Sequence, residues 1–81
     1  MAKMNRDDIR DWMQARMAAD LGVPPEEVST EETFDRLGLD SLAILGVLGE
    51  LAGELDIEVE TTVLFDHPSI EALATHLATV G

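Results

Sequence analysis

The sequence predicts an all-α domain: a small four-helix bundle of three longer helices and one short, with a long loop between the first two. Three observations predict it. Apolar residues recur at three- and four-residue steps in three separate segments. Capping residues and breakers bracket those segments. The one alternating stretch has no second strand to pair with. At 81 residues the chain is one small domain, which buries only about 60% of its unfolded surface and has little room for a deep active site beside its core.

The first helix runs from about Asn5 to Leu21, with Ile9, Trp12, Met13, Met17 and Leu21 on one face. Asn5 is its N-cap, Asp7 and Asp8 suit the positive end of its dipole, and Gly22 with Pro24-Pro25 ends it. Residues 22–40 lack periodicity. A loop of this length tends to be functional or to pack by its own side chains, and Phe34, Leu37 and Leu39 are its expected anchors. Ser29 with Glu32 is expected to cap a short helical turn. The second helix spans Ser41 to about Leu55, N-capped by Asp40, with Ile44, Val47, Leu48, Leu51 and Leu55 inward. Asp56 to Glu60 reads as an extended linker whose Ile57 and Val59 plug the core. A short turn over Thr62–Asp66 follows. Pro68 interrupts, and Ser69 caps a last helix with Ile70, Leu73, Ala74, Leu77 and Val80 inward.

Composition narrows the function. Seventeen Asp and Glu against five Lys and Arg give a net charge of −12. Such a surface repels nucleic acid and anionic membranes and attracts basic partners, more weakly as salt rises. An apolar fraction of 46% is too high for a disordered acidic tail. Zero Cys removes disulfides and thiolate metal sites and favours the cytoplasm. No catalytic constellation emerges. Gly38-Leu39-Asp40-Ser41-Leu42 is not the G-x-S-x-G of a nucleophile elbow. His67 reads as a loop residue and His76 as solvent-facing. Asp56, Glu58 and Glu60 lack the EF-hand pattern and read as a solvated linker. No metal site or Gly-rich phosphate loop is expected.

Two features of the second helix stand out. Gly46, Gly49 and Gly53 share a stripe with Leu42, offset about 200° from the inward face. They form either a tolerated exposed face, a place where a neighbouring loop approaches, or a smooth docking strip. Ser41 opens the same helix after the long loop, beside amides that lack partners and a dipole that stabilises an attached anion. Ser41 either merely assists the cap or carries such a group.

Leu37-Gly38-Leu39-Asp40-Ser41-Leu42 resembles the attachment motif of acyl carrier proteins. Leu64-Phe65-Asp66-His67-Pro68-Ser69-Ile70-Glu71-Ala72-Leu73-Ala74 is similar to the junction before the last helix in polyketide synthase carrier domains. The resemblance spans nearly the whole chain. It implies that residues 5–81 are an acyl carrier domain; residues 1–4, with Met1 and Met4 as two candidate starts, read as leading residues outside it. It implies that Ser41 is esterified by 4′-phosphopantetheine from coenzyme A, with Asp40 and Leu42 as flanking recognition positions. The arm's thiol then holds growing acyl or polyketide intermediates as thioesters, and the chain itself is no enzyme. The implied partners are a phosphopantetheinyl transferase and basic-rimmed synthase enzymes such as a ketosynthase and an acyltransferase. They would meet a monomer at Leu42, Leu45 and Glu50, with Asp35, Glu54 and Asp56 as acidic periphery. The alternatives are a peptidyl or aryl carrier of a nonribosomal peptide assembly line, or an acidic helical interaction module without covalent cofactor.

Overall fold

Asn5 starts the first helix by serving it twice. In the computed structural model, which describes residues 4–60 and 62–80, the Asn5 side chain accepts from the Asp8 amide at 2.8 Å. The Asp8 carboxylate in turn accepts from the Asn5 amide at 3.3 Å, completing a capping box. The helix that follows, α1 (Arg6–Leu21), ends at Gly22, whose φ of 73° is the left-handed turn that glycine adopts without strain. Three further α-helical segments bear out the expected bundle: α3 (Ser41–Leu55), the single turn α4 (Val63–Asp66) and α5 (Ile70–Val80). Ser69 caps α5 as expected, its hydroxyl accepting from the Ala72 amide at 3.1 Å.

The loop between the first two long helices holds more structure than its pattern suggests. It contains a 3-10 turn (Pro25–Glu27) and one turn of α-helix, α2 (Phe34–Leu37). A single turn is shorter than the periodic signal that reveals a helix, so neither is visible as periodicity. Ser29 does accept from the Glu31 and Glu32 amides at 3.3 Å. Those residues bend rather than coil, however, and the cap of α2 is Thr33, which accepts from the Arg36 amide at 3.4 Å.

Inward stripes from α1 (Ile9, Met13, Met17), α3 (Ile44, Val47, Leu48, Leu51) and α5 (Ile70, Leu73, Ala74, Leu77) meet in one apolar core. The helix α1 packs most extensively against α5. Val28, Phe34 and Leu39 of the loop are buried in the same core, while Leu37, Ile57 and Val59 are partly buried against it. The side chain of Val80 lies outside the described residues. Among those described, no polar side chain is buried. The loop is tied down through its backbone as well. The Phe34 amide donates to the Pro68 carbonyl at 3.0 Å, the Glu71 amide donates to that of Thr30 at 2.8 Å, and Thr33 and Ser69 form an isolated antiparallel bridge. The Gln14 amide nitrogen donates to the carbonyls of Pro25 (2.9 Å) and Val28 (2.8 Å). Among the described residues no helix is long and apolar enough to cross a membrane.

At the far end of α3, Asp56 occupies the left-handed C-cap with φ 55° and ψ 47°. A non-glycine residue is disfavoured there, and its carboxylate faces the negative end of the helix dipole. Asp56→Gly should therefore raise unfolding free energy by about 0.5–1 kcal/mol, read as a higher urea midpoint at unchanged slope.

Candidate functional site

The turn leading into α3 is assembled residue by residue. Gly38, at φ 84°, closes α2 with its amide directed at the carbonyls of Phe34 and Asp35. Leu39 is buried, which anchors the chain immediately before the helix. Asp40 is extended, and its Oδ1 accepts from the Ala43 amide at 2.8 Å, the N-cap that the sequence predicts. Ser41 follows as the first helical residue, exposed to solvent. The Ile44 amide donates to the Asp40 carbonyl at 3.1 Å. The amides left without a protein partner in the first turn, among the described residues, are therefore those of Ser41 and Leu42.

The chain has three serines, and the fold uses two of them. Ser29 and Ser69 accept hydrogen bonds from backbone amides at 3.3 and 3.1 Å. Among the described residues the Ser41 hydroxyl has no such partner. Beside it lies a groove of about 320 Å³ lined by Phe34, Leu39, Ile44, Leu45, Leu64, Phe65 and Pro68. Leu42 is 80% exposed and Phe65 85% exposed, so two large apolar side chains stand out near the serine. Phe65 is the residue that pattern reading misses. A signal existed, because α4 is one turn long with three apolar residues and only Val63 of them is buried. The outer stripe of α3 is open: a Cβ at Gly46, Gly49 or Gly53 would meet nothing within 4 Å. Among the described residues no loop comes within 4 Å of these positions, although Val59 of the 56–60 linker lines a shallow pocket with Gly49.

The charge is divided by element. From residue 37 to 81 the sequence contains no Lys or Arg, while eight acids lie between Asp40 and Glu71. Of the expected acidic periphery, Asp35, Glu54 and Asp56 are exposed. Glu50 is exposed but engaged: Arg16 of α1 donates to its Oε2 from Nε at 3.1 Å and from Nη2 at 2.7 Å. Arg16 Nη1 donates to Asp20 at 2.6 Å. The hydrogen bonds to Glu50 first, and then to Asp20, bind the guanidinium proton more tightly than usual. His76 departs from the solvent-facing expectation. It is half-buried, and its ring stacks on that of His67 with centroids 4.3 Å apart. Position 76 follows Leu73 by three residues, which puts it on the flank of the buried stripe. Among the described residues no group of three or more His, Cys, Asp or Glu is placed to hold a metal ion.

The family model for the phosphopantetheine attachment site matches residues 11–77. The chain belongs to that family. It is a carrier domain rather than an enzyme, and the cofactor of the family is covalent 4′-phosphopantetheine. The exposed, unpartnered hydroxyl of Ser41 beside two free amides fits a phosphate ester. A phenolphthiocerol/phthiocerol polyketide synthase polypeptide of Mycobacterium tuberculosis is 36% identical over 73 residues, 90% of this chain. The match spans 4% of that protein's length. An acyl carrier protein from Anabaena sp. PCC 7120, with a variant phosphopantetheinylation-site sequence, shares the fold at a TM-score of 0.87 and 31% identity. That alignment covers 99% of this chain and 94% of the other. A free-standing peptidyl carrier protein from Acinetobacter baumannii gives 0.84 and 32%, with 93% and 94% covered.

Capping is the structural duty of Asp40 in the carrier domain. Asp40→Ala should lower unfolding free energy by about 1 kcal/mol, and Asp40→Ser should restore most of it, both measured by urea denaturation.

Proposed function

We propose that Ser41 is the attachment point of the phosphopantetheine arm, with Asp40 holding the helix start and Leu42 as the apolar contact beside it. We further propose that residues 5–81 act as an acyl carrier domain in polyketide biosynthesis. The observation that carries the assignment is the contrast among three serines: two hydroxyls accept backbone hydrogen bonds, and the third is exposed at a capped helix start. Similarity to a polyketide synthase of Mycobacterium tuberculosis supports the pathway.

In arm transfer the Ser41 oxygen forms a bond to phosphorus, the nucleotide part of coenzyme A leaves, and the serine proton departs. The base for that proton belongs to the phosphopantetheinyl transferase. The two free amides of α3 and its dipole then favour the phosphate's negative charge. When bound, the arm supplies the thiol that carries the acyl group, and the domain supplies position and recognition. Leu42 and Phe65 offer apolar contact to synthase partners such as a ketosynthase or an acyltransferase. The acids around them steer basic rims toward the serine.

Incubation with coenzyme A and a broad-specificity phosphopantetheinyl transferase should add one arm to the intact mass of the wild type and none to Ser41→Ala. No addition to the wild type, or an equal gain in the variant, contradicts the assignment.

A further inference from the structure

An enzyme that reaches Ser41 must cover the first turns of α3. Because no Lys or Arg occurs from residue 37 to 81, α3 itself offers such an enzyme only acids. Glu50 lies on this helix about 13 Å from Ser41 along its axis, within the reach of electrostatic steering at low salt. Among the described residues one cation nevertheless crosses to α3, and it comes from α1: Arg16 holds Glu50 Oε2 through both Nε and Nη2.

Two details of this contact suit exchange rather than permanent clamping. The Glu50 side chain remains 53% exposed, so a second cation has access to it. Arg16 also holds Asp20, one turn along its own helix at 2.6 Å, so it keeps a carboxylate partner after releasing Glu50. An exposed pair of this kind is weak enough to be displaced. We propose that Arg16 is an internal competitor for Glu50, occupying it in the free domain and yielding it to a basic side chain of the phosphopantetheinyl transferase on docking. The inference rests on the reading of Ser41 given above. Arg16 thereby sets partner selectivity. A partner with a cation opposite Glu50 gains a carboxylate, whereas one without meets a pair already neutralised.

The test compares kcat/KM for arm addition from coenzyme A at low ionic strength, using a broad-specificity transferase. Arg16→Gln should raise kcat/KM about two- to fivefold. Arg10→Gln removes the same charge from a residue paired within α1, to Asp7 and Asp11, and should raise it less. In a Glu50→Gln background, Arg16→Gln should bring no more than the gain of Arg10→Gln. The inference is overturned if Arg16→Gln is no faster than wild type, gains only what Arg10→Gln gains, or gains equally without Glu50. A measurement on the wild type needs no variant to fold. The Arg16 Nε–H resonance should move when transferase is titrated in without coenzyme A, and an unmoved resonance overturns the inference. A wild type that takes no arm overturns the reading of Ser41 itself. A wild type that takes the arm while Arg16→Gln is no faster overturns this inference alone.

Discussion

The backbone pairing between the long loop and the start of α5 is the constraint on which the site depends. Phe34 donates to Pro68 and Glu71 to Thr30, at 3.0 and 2.8 Å. A loop without periodicity must satisfy its polar backbone groups somewhere, or leave them to water and remain loosely placed. Here the chain satisfies them against the α4–α5 junction, and it buries Val28, Phe34 and Leu39 alongside. With residue 34 held, Gly38 and Leu39 have little freedom, and α3 can start in one place. The exposed serine is therefore presented by the loop and the α4–α5 junction as much as by its own helix.

The same arrangement divides the surface. The core contains no buried polar side chain among the described residues, so charge is free to follow function rather than folding. The described arginines lie on α1 and α2, each paired with at least one acid. Beyond residue 36 the acids stand without a basic neighbour in sequence. The outer stripe of α3 adds no charge at Gly46, Gly49 and Gly53. In the proposed docking, long-range attraction from the acids and short-range fit at Leu42 and Phe65 would act separately, which suits contacts that form and release repeatedly.

Much of this was legible in the sequence because its causes are local. Apolar spacing marked α1, α3 and α5, and Asn5, Asp40 and Ser69 marked their starts, since a cap acts within three residues. Ser41 is singled out by its motif and its position at a helix start, which is the reading proposed for it above. What escaped was long-range or too short for a period. The single turn α2 gives no repeat, and Gln14 reaches residues 25 and 28 from another element. The stacked pair of His67 and His76 arises only when α4 meets α5. The resemblance implies Glu50 as a docking contact, and nothing near it in sequence announces Arg16, thirty-four positions earlier. Such a pair becomes visible only once α1 and α3 are side by side.

The most direct test of the account locates the arm rather than counting it. The wild-type domain, loaded by a transferase, is cleaved and its fragments sequenced by tandem mass spectrometry. The account predicts that the arm resides on Ser41, with Ser29 and Ser69 unmodified. An arm on either of those serines, or on any threonine, would contradict it.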